Sequence, residues 1–240
     1  MFSFATTPVM YVGLLILFAW CTVWSAVELV RSTTTEHRIS NGLHLIMSLV
    51  MLAMVPRSTY AALSAVVPLS VQAGFFVVAA GWFVALAVRG PGSVRPHFVG
   101  HTVMFAAMAW HLIGMMVKMA QMSEHGMGEH AGHTMAGSGD VVAWVGLPFM
   151  AALLWMGLSA LADLVRPQAG HASGHVVTNR SAGEHPAHVP AAAGCHDPRP
   201  VGSVSERAHA AMGAAMNLGM FWMSVGLVAG LLPFLAVLQA

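Results

Sequence analysis

His101-Thr102-Val103-Met104-Phe105-Ala106-Ala107-Met108-Ala109-Trp110-His111-Leu112-Ile113-Gly114-Met115 runs for fifteen residues without a charge. Extended back to Val99 and on to Met119, with only Lys118 interrupting near its end, it reaches the roughly 20 residues a helix needs to cross a hydrocarbon core. The whole chain has the same character. Of its 240 residues 57% are hydrophobic and 8% charged, against about a quarter charged in soluble domains. Six apolar stretches predict spans over 8–30, 41–57, 67–88, 99–120, 141–165 and 208–238, the second of them short. The expected fold is an all-α integral membrane protein, one membrane domain over residues 1–240.

The same stretch shows a repeat. His101 is followed by Met104 and Met108, His44 by Met47 and Met51, and His209 by Met212 and Met216, three and seven residues on in each case. Each set opens an even-numbered span. The odd-numbered spans close alike, on Glu28-Leu29-Val30-Arg31, Leu86-Ala87-Val88-Arg89 and Asp163-Leu164-Val165-Arg166, and on that alignment Trp24 matches Trp82 and Trp20 matches Trp155. The pattern predicts three tandem helical hairpins in a pseudo-threefold arrangement, with the second, fourth and sixth spans central. With 19 methionines in 240 residues and 14 histidines, chance supplies roughly 0.1 such match. Three occur.

Offsets of 0, 3 and 7 fall within about 60° on a helix, with rungs roughly 4.5 and 6 Å apart. Parallel even spans then place equal offsets at equal depth, so the rungs are expected to form rings. The stripe continues through Met54 in the second span, His111, Met115, Met119 and Met122 in the fourth, and Met220 and Met223 in the sixth. Thioether sulfur with imidazole suits copper(I) better than zinc, magnesium or calcium, and weak stacked sites suit passage of an ion. A single methionine stripe at helical spacing reads as a packing face, because methionine fills irregular gaps. Three matched stripes headed by histidines, which are costly inside a bilayer, favour ligation. The expected ligands are His44, Met47, Met51, His101, Met104, Met108, His111, His209, Met212 and Met216, with Met54, Met115 and Met220 as outer members.

Charge sets the orientation. Arg31, Arg38, Arg89, Arg95, Arg166, Arg180, Arg199 and Arg207 fall in loops on one side, which reads as cytoplasmic in a cell membrane with both termini outside. Arg57 and Lys118 sit at helix ends. Residues 121–140 form an outer loop dense in histidine and methionine, with His125, His130 and His133 as candidate collectors of copper; a merely polar loop is the plainer reading. Residues 166–207 form a cytoplasmic low-complexity loop whose His171, His175, His185, His188, Cys195 and His196 lack any standard metal spacing and read as a solvated linker. Glu28 and Asp163 are expected to pair with the neighbouring Arg31 and Arg166.

Several classes are excluded. A net charge of +1 with basic residues confined to loops offers no nucleic-acid face. Cys21 in a span and Cys195 in a loop predict no disulfide. The first apolar stretch lacks a basic leader and a small-residue cleavage site, so it is expected to remain as a span. No residue set resembles a hydrolytic or phosphate-binding site, so no catalytic residues are expected and a transporter or metal-binding protein is favoured over an enzyme.

Met47-x-x-x-Met51, Met104-x-x-x-Met108 and Met212-x-x-x-Met216 resemble the signature of eukaryotic high-affinity copper transporters, in which three subunits each supply one such helix to a pore. That likeness implies copper as cargo. It covers a motif and not the chain, and neither three hairpins nor a preceding histidine belongs to that signature. The overall arrangement also resembles an actinobacterial family of histidine-rich six-helix membrane proteins, a likeness that carries no activity with it. The expected partners are the copper ion, membrane lipid, and a copper chaperone or larger membrane complex. Two competing readings stand beside copper transport or delivery. One is an electron-transfer or oxidase-type subunit in which histidines such as His101 and His111 hold haem b or fixed copper. The other is a structural subunit whose methionines only pack.

Overall fold

The computed structural model describes residues 7–92, 94–125, 136–165 and 204–232. They form seven helices in chain order: α1 Pro8–Arg31, α2 Thr35–Met54, α3 Arg57–Val66, α4 Leu69–Arg89, α5 Arg95–His125, α6 Ala136–Val165 and α7 Val204–Val228. Among the described residues there is no strand. Five helices, all but α2 and α3, are long and apolar enough to cross a membrane. The described residues are all-helical in their regular structure, and the long apolar helices are those of a membrane-embedded protein. Its outward residues agree, since Val30, Val78, Trp144 and Trp155 are all well exposed, as a lipid-facing surface requires.

Two elements differ from the expected spans. The second span does not reach Arg57. Thr34 caps α2 early by accepting from His37 N at 3.2 Å, and Pro56 stops the chain shortly after Met54. The resulting 20-residue α2 could measure about 30 Å, but its first two turns, Thr35-Glu36-His37-Arg38-Ile39-Ser40-Asn41, are polar. Pro56 then opens α3, a ten-residue helix not anticipated from hydropathy, which buries Tyr60. The last expected span ran over 208–238; α7 closes at Val228 ahead of Gly230, and residues 233–240 lie outside the described set.

The most extensive packing is between α1 and α2, α4 and α5, and α6 and α7, each pair antiparallel neighbours. At the first corner Ser32 Oγ donates to Glu28 O at 2.8 Å, and Asn41 Nδ2 donates to Ser32 Oγ at 2.7 Å and Glu28 O at 3.3 Å. At the second, Arg95 Nε donates to Ala87 O at 3.2 Å. Asn41 is buried, so Asn41→Ala leaves the Ser32 hydroxyl short of a partner in a dry corner. This should cost about 1–3 kcal/mol and lower the thermal midpoint of the protein in detergent. A midpoint equal to that of the parent would show that the corner is held by packing alone.

Hairpins assemble through small-residue contacts, as helices in lipid must, because no hydrophobic force draws them together there. α7 packs antiparallel to α1, with the Phe18 ring so close to Gly219 that an added Cβ would lie 2.6 Å from Cε1. α7 also meets α5 and α6, and α5 meets α4 and α6. One continuous core gathers the inward faces of α1, α2, α4, α5 and α7, together with Leu153 of α6. A second, smaller cluster around Trp110, Met150 and Val225 joins α5, α6 and α7.

Candidate functional site

Helical periodicity puts Ser40, His44, Met47, Met51 and Met54 on one stripe of α2, and all five are buried. The matching stripe of α5 carries His97, His101, Met104 and Met108. The stripes meet at their histidines. His44 Nε2 lies 3.0 Å from His101 Nδ1, the ring centroids 4.6 Å apart and nearly perpendicular. Phe83 of α4 and Phe105 of α5 stack on each other at 5.1 Å and flank the pair, Phe83 at 5.1 Å from His101 and Phe105 at 5.4 Å from His44. His44 is 1% exposed, so these rings keep water from its inner side.

The hydrogen bonds fix the tautomers of neutral rings. His44 Nδ1 is 2.7 Å from Ser40 O, and a carbonyl can only accept, so the His44 proton sits on Nδ1. His44 Nε2 is then an acceptor, and His101 must donate from Nδ1. That leaves His101 Nε2 as an acceptor for His97 Nε2, 3.1 Å away. One carbonyl orients three imidazoles.

Below the histidines the sulfurs are enclosed. Met47, Met51 and Met108 are completely buried, Met104 is 4% exposed, and all belong to the main core with Met54, Met212, Met216 and Met220. Met115 packs against that core from its partly exposed edge. Met212 meets α1, where Ser25 Oγ donates to its sulfur at 3.6 Å and Cys21 Sγ donates to its carbonyl at 3.8 Å. His209, one turn before Met212, is partly buried on α7. His111 is buried farther along α5, with Nδ1 2.8 Å from Ser224 Oγ of α7.

Among the described residues no group of three or more His, Cys, Asp and Glu side chains is placed to hold a metal ion. The structure joins His44 to His101 and sets His111 against Ser224 of α7. His130, His133 and the side chain of His125 lie outside the described residues, as do 126–135 and 166–203 of the two long loops. Sequence reasoning missed His97, Phe83, Phe105, Ser25 and Cys21. His97 carried a signal, since it stands four residues before His101 on the same helical face. It fell just outside the expected span. The other four gave none, because their roles come from neighbouring helices.

Chemically, the pair offers one imidazole lone pair directly and a second after a tautomer change, in a dry aromatic box at the head of two thioether stripes. A model for a family described as "Domain of unknown function (DUF5134)" matches residues 36–225, which takes in every ligand candidate in α2, α5 and α7. No curated protein and no solved structure matches the chain.

Proposed function

Because the chain belongs to the DUF5134 family, whose description assigns no activity, its function rests on its own residues, and we propose that it is a copper(I)-binding membrane protein. It binds the ion between His44 and His101 and passes or stores it along the methionines beneath. One observation carries this reading: a histidine pair separated by 3.0 Å, His44 enclosed and His101 partly buried, heads the stripes of Met47 and Met51 on α2 and of Met104 and Met108 on α5. Copper(I) suits that donor set, being soft and content with few ligands, whereas zinc and the hard cations need more donors or charged oxygens. No carboxylate is needed. A monovalent ion with neutral ligands adds only one charge to a dry core.

In the same reading α2 is a sixth span, its polar first turns at the interface, and the three hairpins form a pseudo-threefold bundle in the cell membrane. The arginine-rich end lies in the cytoplasm and both termini outside, as the distribution of Lys and Arg requires. Haem has less support. Phe83 and Phe105 occupy the space beside His44 and His101 that a porphyrin would fill. A purely structural role draws on one specific observation, that the methionine side chains lie in a continuous core, and Met212 already accepts a hydrogen bond.

Leucine matches methionine in volume, so changing Met47, Met104 and Met212 together to leucine should leave the fold in place at below about 1.5 kcal/mol per site. Copper measured by mass spectrometry in protein purified under reducing conditions should then fall well below that of the parent. Equal copper in the triple variant and the parent removes the thioethers from the site; no copper in either leaves the methionines as packing.

A further inference from the structure

His97 and His101 stand one turn apart on α5, and the chain His97, His101, His44 steps from the surface into the core. His97 is exposed at the arginine-rich end, His101 is partly buried, and His44 is enclosed. The two nitrogen-to-nitrogen gaps are nearly equal, 3.1 and 3.0 Å. The chain ends on the Ser40 carbonyl, which takes no proton, so it cannot carry protons onward into the core. It is built instead as two successive places between paired imidazole nitrogens.

We infer that His97 is the receiving ligand of this site: copper(I) is taken from water between His97 and His101 and passed inward to lie between His101 and His44. This rests on the copper reading above. His101 is a ligand in both positions, through Nε2 in the outer and Nδ1 in the inner, so the ion leaves the first nitrogen as the ring's proton crosses over from the second.

The protons balance. In the outer position the ion needs the Nε2 lone pairs of His97 and His101. The second is already an acceptor, and the first opens when the His97 proton moves through water from Nε2 to Nδ1. In the inner position the ion needs His101 Nδ1 and His44 Nε2. The Ser40 carbonyl already keeps the latter open, and the His101 proton moves from Nδ1 to Nε2, from which it donates back to His97 Nε2. No proton is lost from the chain, and copper stays in the +1 state throughout. Each gap has to widen by about 1 Å, since two metal-imidazole bonds of about 2 Å in line span roughly 4 Å.

The test uses the full-length protein in detergent, with copper(I) presented as its bicinchoninate complex. His97→Ala should slow loading at least about tenfold while the protein still fills to the parental copper content at saturating copper(I), and His97→Met, which restores a soft ligand, should load within about threefold of the parent. The second readout is nitrogen-15 NMR of the histidine side chains. In the metal-free protein the proton should be on His97 Nε2 and on Nδ1 of His101 and His44, and one equivalent of copper(I) should move it to Nε2 on His101 alone among the two inner rings. Loading of His97→Ala at the parental rate overturns the inference, as does a copper content below the parental at saturating copper(I) in that variant, which would make His97 a holding ligand. A His101 proton that stays on Nδ1 in the loaded protein also overturns it. Failure of the copper reading looks different: the parent itself takes up no copper, while the metal-free tautomer pattern is intact.

Discussion

Gly146→Ala is expected to be among the most damaging single substitutions in the molecule, lowering the thermal midpoint in detergent by roughly 10 °C. A Cβ at Gly146 would overlap the Trp110 indole, with Cε2 and Cη2 both 2.6 Å away and Cζ2 nearer still. The ring cannot swing aside. Its Nε1 donates to Val142 O at 2.9 Å, one turn back on the same helix, and Phe149 stacks on it at 6.1 Å. Overpacking a closed contact costs about 1–3 kcal/mol, and forcing the indole off its carbonyl adds about 1 kcal/mol. The sum is large because the Trp110 indole of α5 sits directly over Gly146 of α6, with no space for an added carbon. Gly81→Ala supplies the control, since nothing lies within 4 Å of a Cβ there and alanine is the better helix former. Equal midpoints for the two variants would show that Trp110 does not fix the α5 and α6 contact.

His44→Phe is expected to keep the fold and lose the copper. The Ser40 carbonyl lies inside α2 and keeps its helical hydrogen bond, so no buried group is orphaned there by the change. A phenyl ring joins Phe83 and Phe105 in an already aromatic box. What disappears is the inner nitrogen of the pair. Changing residues that merely support metal ligands costs about 10–100-fold in affinity, so removing one of two imidazole ligands should cost at least that much. The same change frees the tautomer of His101, whose Nδ1 no longer has an acceptor fixed by Ser40, so its nitrogen-15 signals should shift toward a mixture even without metal. Copper bound at parental affinity in a folded His44→Phe protein would move the site away from this pair.

The fold class was written in the sequence because it follows from solvent. Long uncharged runs have no other favourable environment than lipid, and a helix is the simplest way to satisfy their backbone there. Which face of each helix turns inward was also legible. His44, Met47, Met51 and Met54 recur at helical period, and all are buried. The arginines at Arg31 and Arg89 and the short connections after them likewise gave two of the three hairpin pairs as neighbours. α3 was not legible, since its ten residues are neither long nor uniformly apolar and it forms because Pro56 ends α2 and starts the chain afresh.

The site was half legible, for one physical reason. Equal offsets along parallel helices fix depth, and depth is local; the direction a stripe faces around the bundle is set by what its helix packs against. His44 and His101 meet because α2 and α5 turn those faces to each other around Phe83, whereas Met212 is turned toward α1, where Phe18 fits against Gly219 and Ser25 reaches its sulfur. The sequence by itself determined that this is a helical membrane protein with histidine and methionine recurring at helical period on three of its helices. Only the tertiary structure decided that two of those stripes converge on a histidine pair, that His97 extends the pair to the surface, and that Met212 meets α1, because side-chain knobs on neighbouring helices, far apart in sequence, choose the rotation of each helix.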